Sequence, residues 1–384
     1  MLPPRLSYLI VLWVSLFMGL PVSAEYNFIG LGDWGGAAIN AQDSQNVYSV
    51  AEAMEKSAAS LNPAFVLSLG DLFYWCGIQN TSDYQIDVDW LAPYSSTHLK
   101  GLPWYNILGN HEYGYNSSAV LDYSNIDSRW IIPDRYYTTR LKIDDESDTY
   151  MSMIFLDTSP CVADYRNEDP SAWDPCSPQY PTCSPGATDD DFEGTCHFHE
   201  HILEQNCTAQ YEWLEGVLQT ISKDDWVVVS GHHPLDEVDV YDFTSLLQSY
   251  GFSIYLNGHA HTLSFYQLDG GGAYVTSGAG SLVDTPDQEK SATKDKVKGA
   301  AEIVSDGAAH AIESEGSGNI EHRKGMGREE TSHTYTTIFN QAVAGFTTHV
   351  FNSEFDALET KYIAYTGDVL YSFTSYKNGT VEGH

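Results

Sequence analysis

Positive charge is scarce in this chain. Only 18 Lys and Arg residues stand against 53 Asp and Glu, a formal net charge of −35 over 384 residues. Such a surface repels nucleic acid and anionic membranes near neutral pH, which argues against either as a partner. It also opposes anionic substrates at long range, unless the site carries its own positive charge, as bound metal ions do. At mildly acidic pH part of the carboxylate charge is lost and the opposition weakens. Long apolar runs are absent after residue 24, so no stable membrane insertion is expected there. No internal repeat is found, which excludes a repeat array. Cysteine is rare, and all six (Cys76, Cys161, Cys176, Cys183, Cys196 and Cys207) follow that point.

The first 24 residues have the marks of a cleaved leader. Arg5 supplies a positive n-region, Ser7 to Leu20 is mostly apolar, and Val22-Ser23-Ala24 is a small-residue cleavage pattern. The apolar core is short for a spanning helix. A mature chain starting near Glu25 is expected to be secreted, or to reach a lumenal, vacuolar or lysosomal compartment by the same route. The even cysteine count suggests disulfides in that setting, with the pairing open. Sequons at Asn80, Asn116, Asn206 and Asn378 are candidate glycosylation sites.

Short apolar runs, often β-branched and closed by Gly, Asp or Asn, recur at Tyr26–Leu31, Phe65–Leu69, Trp104–Leu108, Met151–Leu156, Trp226–Val229, Phe252–Leu256 and Ala273–Thr276. They read as buried strands. Amphipathic stretches at Gln45–Leu61 and Thr208–Ile221 read as helices between them. The alternation predicts an α/β layered core. After Phe346 the pattern becomes strands alone, at Phe346–Phe351, Thr360–Tyr365 and Val369–Tyr376. Two segments interrupt a single domain over 25–384. About 162–206 is rich in Cys, Pro and Asp and reads as a disulfide-tied surface insertion, and about 284–332 is polar and poor in large apolar residues, as expected of a segment without a packed core.

Nitrogen and oxygen donors recur at the strand ends. Gly32-Asp33, Gly70-Asp71 with Tyr74, Gly109-Asn110-His111-Glu112, Gly231-His232-His233-Pro234 and Gly258-His259-Ala260-His261 each close an apolar run. Taken singly they are weak, because an Asp after Gly is usually a turn residue and a lone His in a turn is more often structural than a ligand. Taken together, the order Asp, Asp-x-x-Tyr, Asn-His, His, His-x-His resembles the motif set of the binuclear metallophosphoesterases. Tyr74 narrows the resemblance to purple acid phosphatases. Gly32-Asp33-Trp34-Gly35-Gly36, Asp71-Leu72-Phe73-Tyr74, Leu156-Asp157-Thr158 and Ser277-Gly278-Ala279-Gly280 are similar to their tartrate-resistant, small animal-type branch. Few mature residues precede Asp33, leaving no room for the N-terminal β-sandwich expected of the large plant type.

The resemblance implies a four-layer α/β/β/α sandwich of two mixed β-sheets flanked by helices. It implies that Asp33, Asp71, Tyr74 and His261 hold Fe(III), and that Asp71, Asn110, His232 and His259 hold a divalent ion, Fe(II), Zn(II) or Mn(II), with Asp71 bridging. Hard phenolate and carboxylate donors suit the first ion, and imidazoles with an amide oxygen suit the second. It implies a monomeric acid phosphatase that hydrolyses small phosphomonoesters by attack of a metal-bound hydroxide, with His111 assisting the phosphate or the leaving alkoxide. Glu112 is a candidate to orient His111, against a plain reading as a solvated loop carboxylate.

One position departs from the family. A further histidine about ten residues after the His232 equivalent is missing, and the stretch reads Asp236-Glu237-Val238-Asp239-Val240-Tyr241-Asp242. Either His233, Asp239 or Tyr241 takes that role, or His111 acts alone. Cys196-His197-Phe198-His199-Glu200-His201 spaces three histidines as an extra metal site would, but a polar piece of the disulfide segment is the plainer reading. Cys76 reads as a disulfide partner. Two alternatives stay open beside the phosphatase: a phosphodiesterase or phytase-like hydrolase on the same scaffold, and an iron-binding or redox glycoprotein.

Overall fold

The computed structural model describes residues 26–144, 148–167, 173–176, 196–284 and 333–383. The expected leader, Cys183 and nearly all of the polar stretch after 284 lie outside the described residues.

The first half of the chain runs β1 (Phe28–Leu31), α1 (Ala41–Leu61), β2 (Phe65–Ser68), β3 (Trp104–Asn106), α2 (Ser117–Asp122), β4 (Trp130–Ile131), β5 (Tyr137–Asp144) and β6 (Thr149–Phe155). It continues with α3 (Phe198–Leu203), α4 (Cys207–Thr220), β7 (Trp226–Ser230), α5 (Phe243–Tyr250), β8 (Ile254–Asn257), β9 (Leu263–Leu268) and β10 (Gly271–Ser277). Five strands close the chain: β11 (Tyr335–Gln341), β12 (Gly345–Phe351), β13 (Ala357–Ala364), β14 (Val369–Tyr376) and β15 (Val381–Gly383). α1 starts where the Asn40 side chain accepts from Gln42 N and Asp43 N, and it stops at Asn62, which is left-handed and followed by Pro63.

The strands form two sheets, ordered β15-β14-β13-β12-β1-β2-β3-β4 and β11-β9-β10-β8-β7-β6-β5. Both are mixed: β1 to β4 are mutually parallel with β12 antiparallel to β1, and β6, β7, β8 and β10 are parallel with antiparallel neighbours at either side. Side-chain alternation divides each central strand between two environments. Met151, Met153 and Phe155 of β6, with Trp226 and Val228 of β7, join the core shared with the first sheet. Ile154, Val227 and Val229 point the other way, under Leu214 and Leu218 of α4 and Phe243 and Leu247 of α5. α1 packs Val50, Met54 and Ala58 on the first sheet. The layers are therefore α/β/β/α, as expected.

Cys161–Cys207 joins the end of β6 to the start of α4, and Cys176–Cys196 closes the segment between them. Cys76 is disulfide-bonded as well. Among the described residues no helix is long and apolar enough to cross a membrane.

Candidate metal centre

Five loops meet at one end of the sandwich. They follow β1, β2 and β3 of the first sheet and β7 and β8 of the second, and each carries a glycine directly before its first donor. The turns are tight. Asp33, Asp71 and His259 have positive φ (56°, 51° and 68°), three of the seven such non-glycine residues described. Left-handed backbone costs a non-glycine residue on the order of 1–3 kcal/mol and persists where the surroundings impose it. Two glycines show why the loops pack so closely. A Cβ on Gly109 would fall on the Asp71 carboxylate and amide, and one on Gly258 would lie 2.5 Å from Asp33 Oδ2.

The seven donors named above converge in two adjoining groups. In the first, the Tyr74 hydroxyl lies 2.9 Å from Asp33 Oδ1, 3.2 Å from Asp71 Oδ2 and 3.0 Å from His261 Nε2. In the second, Asn110 Oδ1 lies 3.0 Å from His232 Nε2 and 3.1 Å from His259 Nδ1. Asp71 Oδ2 belongs to both, being also 3.3 Å from His232 Nε2. Each imidazole turns one nitrogen to the centre and has an oxygen behind the other. His232 Nδ1–H donates to Leu69 O at 2.8 Å, His259 Nε2 faces Glu237 Oε2 at 3.3 Å, and His261 Nδ1 faces Asp284 Oδ1 at 3.4 Å. Such partners select the tautomer and orient the ring.

The electrostatics of this cluster call for cations. Burial, then the Asp33 and Asp71 carboxylates, push the Tyr74 phenol well above its usual range. Burial would raise Asp71, but the His232 and His111 imidazoles outweigh it and hold the carboxyl well below its ordinary value. Burial disfavours charge on His232 and His261, yet Asp71 raises the first to about 9, while Asp284 and Asp33 raise the second to about 10. Two carboxylates, a phenol, an amide oxygen and three imidazoles thus face one another in a largely buried site, with protons on His232 and His261 as the balancing charge. Metal ions satisfy such a donor set, and its division into a hard oxygen-rich group and a nitrogen-rich one fits two different ions.

His111 lies beside the junction. Its backbone N–H donates to Asp71 Oδ1 at 3.0 Å, and its Nδ1–H donates to Trp75 O at 2.5 Å. Nε2 is left 3.8 Å from Asp71 Oδ2. Burial lowers its pKa, against the opposing pull of Asp71.

Several expectations need correction. Glu112 neither orients His111 nor sits in solvent. It is fully buried and accepts from the backbone N–H groups of Asp71, Leu72, Phe73 and Gly109 at 2.7–3.2 Å, tying the β2 loop to the β3 loop. Burial and the neighbouring Asp71 raise it to about 8, against the Gly109 N–H, the His232 imidazole and the Leu72 N–H, which favour its charged form. Asp239 and Tyr241 are engaged elsewhere. Asp239 Oδ1 accepts from Ala163 N at 2.7 Å, and Tyr241 bonds the Thr208 hydroxyl and stacks on Tyr211. His233 is fully buried, with Nδ1 2.8 Å from Thr158 Oγ1 and Nε2 3.1 Å from the Tyr165 hydroxyl. It shares a cluster with His232 and His259, its ring centroid 4.9 and 4.3 Å from theirs, but both its nitrogens are taken by Thr158 and Tyr165. Burial drives it well below the usual histidine range. His197, His199 and His201 stand at the start of a helix, not an extended run, so alternate residues diverge. His199 bonds Tyr165 O and His201 bonds Tyr113 O. Residues not anticipated are Glu237, Asp284, Thr158 and Tyr165. No spacing rule gives them a role, though Thr158 lies in the Leu156-Asp157-Thr158 motif and Glu237 in the acidic stretch after His232.

This geometry is that of a dinuclear hydrolase. Residues 26–263 match the family model described as calcineurin-like phosphoesterase, and the chain belongs to that family. It is 30% identical over 297 residues to tartrate-resistant acid phosphatase type 5 of Oryctolagus cuniculus, covering 74% of this chain and 82% of that one. It is 29% identical over 268 residues to purple acid phosphatase 17 of Arabidopsis thaliana, covering 66% and 68%. Among solved structures it resembles GAP50, the anchor in the inner membrane complex of Plasmodium, with a TM-score of 0.59 and 17% identity over 92% of this chain and 89% of that one. That last likeness is one of fold. By family and relatives the protein is a phosphoester hydrolase of the acid phosphatase kind with a binuclear metal centre.

Proposed function

We propose that this is a secreted, monomeric acid phosphatase that hydrolyses small phosphomonoesters at an Fe(III)–M(II) centre, M being Fe(II), Zn(II) or Mn(II). The observation that carries the reading is the place of Asp71 Oδ2, 3.2 Å from the Tyr74 hydroxyl and 3.3 Å from His232 Nε2. A carboxylate there is a natural bridge between two ions. Asp33, Asp71, Tyr74 and His261 would hold the ferric ion, and Asp71, Asn110, His232 and His259 the divalent one. When bound, the pair supplies the positive charge that phosphoryl transfer needs and an activated water as nucleophile.

The chain's own groups do the rest. Donation of Nδ1–H to Trp75 O turns His111 Nε2 towards the space beside Asp71. There, in its imidazolium form, Nε2–H is placed to hydrogen-bond a phosphoryl oxygen or to pass its proton to the departing alkoxide. His233, with both nitrogens occupied, has a positioning part, holding Thr158 and Tyr165. Export rests on the leader at 1–24, and one domain over 25–384 on the continuous pattern after it. The sequon residues Asn80, Asn116, Asn206 and Asn378 are all exposed, which supports glycosylation.

Metal analysis joined to a visible spectrum tests the centre. Two metals per chain and a tyrosinate–Fe(III) band are expected, and a single colourless zinc would overturn the role of Tyr74. Hydrolysis of an aryl phosphate by metal-loaded protein is expected between about pH 4 and 7. Its absence there would favour an iron-carrying glycoprotein.

A further inference from the structure

Three aromatic rings surround His111. Tyr74 meets it edge-on at a centroid distance of 4.6 Å, Trp75 lies at 5.7 Å and Trp173 at 5.6 Å. Tyr74 is buried and belongs to the donor cluster, whereas both indoles keep part of their surface in water. They reach this place by different routes. Trp75 extends the β2 loop. Trp173 comes from the cysteine-rich segment between β6 and α4.

The described parts of that segment, 162–167, 173–176 and 196–206, are tied down at several points. Cys161–Cys207 joins its ends, and Cys176–Cys196 closes it within. Trp173 packs on Tyr165 at 5.4 Å and on Phe198 at 5.1 Å. The Tyr165 hydroxyl bonds His233 Nε2 at 3.1 Å, and Ala163 N donates to Asp239 Oδ1 at 2.7 Å. The result is a large flat side chain carried on a clamped support to the edge of a polar site and left partly wet.

We infer that Trp75 and Trp173 form a cleft for the leaving group, which selects phosphomonoesters of flat, uncharged aromatic alcohols. The inference rests on the place given to His111 above, because a group departing past His111 meets the two indoles. Aromatic rings gain from stacking on indole faces, and saturated groups gain less. Glu237, 30% exposed beside His259, and the net charge of −35 both penalise leaving groups that carry further phosphates.

The test uses the metal-loaded full chain and two esters whose alcohols have similar acidity, 2-naphthylmethyl phosphate and cyclohexylmethyl phosphate. The wild type is expected to prefer the naphthyl ester. Trp173→Ala should cut kcat/KM for it about tenfold more than for the cyclohexyl ester, about 1.4 kcal/mol of selectivity, chiefly through KM. Trp173→Phe should keep most of the preference. Equal losses on both esters, or an unchanged ratio, would overturn the cleft. If neither ester is turned over, the hydrolase reading fails and the cleft is judged by binding of 2-naphthylmethylphosphonate. Binding weakened about tenfold by Trp173→Ala upholds it, and unaltered binding overturns it.

Discussion

Glu237 Oε2 stands 3.3 Å from His259 Nε2, on the far side of the ring from Asn110. The imidazole is therefore gripped from behind, and its Nδ1 is kept for the centre. Removing the grip should loosen the divalent ion. Glu237→Ala is expected to weaken its affinity about 10- to 100-fold, with Glu237→Gln retaining part of the effect. Competition with a chelator of known affinity measures this. An unchanged dissociation constant in both variants would dismiss the contact as incidental.

Asp284 stands in the same relation to His261, at 3.4 Å. Asp284→Asn exchanges an anionic acceptor for a neutral amide and should make His261 a poorer donor. The expected result is a shifted visible band and faster loss of iron to chelators, with secondary structure intact by circular dichroism. A spectrum identical to wild type would count against it.

Glu112 offers a stability test. Its carboxylate receives four backbone N–H groups in a site closed to water. Glu112→Gln sets an amide N–H₂ against donors, so about 2–3 kcal/mol of stability should be lost. Thermal unfolding of the metal-free protein above about pH 8, where the carboxyl is charged, is the cleaner measurement. A melting temperature unchanged by the substitution would mean the loops hold without this tie.

His333 tests pH dependence. It lies 2.6 Å from Asp269 and 2.9 Å from Asp242. Burial opposes its charge, but the Asp269 and Asp242 carboxylates prevail and raise its pKa. Asp269 is lowered, first by the hydrogen bond with His333 and then by the Thr334 N–H. A raised histidine stabilises fully below its unfolded value and ceases to do so as pH rises through the folded one. A lowered carboxyl stabilises above its unfolded value and ceases to do so as pH falls through the folded one. The pair is therefore complete between the ordinary carboxylate and histidine ranges. His333→Ala should lower the melting temperature most in that window and converge with wild type on the alkaline side. A deficit that did not change with pH would rule out an ionic origin.

Cys161–Cys207 spans 46 residues. On the chain-entropy account, a loop of that length contributes about 4 kcal/mol. The double variant Cys161→Ser with Cys207→Ser should melt several degrees lower and lose more aryl than alkyl phosphatase activity, because the support of Trp173 is loosened. Equal losses on the two substrate types would separate the disulfide from the cleft.

What the sequence made legible follows from where residues lie. β1, β2, β3, β7 and β8 are short apolar runs because both their faces are covered, and a glycine ends each, so strand and donor loop are visible together. β5, Tyr137–Asp144, and β11, Tyr335–Gln341, are edge strands with polar and half-exposed positions, and no apolar run betrays them. The seven candidate donors stand out because tyrosine, asparagine and histidine in those turns have few other reasons to recur in that order. Glu237 and Asp284 could not. A carboxylate behind an imidazole needs only to reach it, and no fixed spacing results. Glu112 was misjudged for a related reason. Its partners are backbone amides, which carry no residue signature.

The donors are divided between two sheets, and the division has a bearing on how the protein matures. The Asp33 carboxylate accepts from the backbone of His259, a residue 226 positions away. Neither sheet alone owns the whole of the proposed ligand set, so metal uptake there would wait until the halves of the chain have docked. A truncated or half-assembled chain should bind iron no better than any acidic polypeptide. The visible band expected of the proposed ferric centre would then be a gauge of assembly, rising only in molecules whose two halves have met in register.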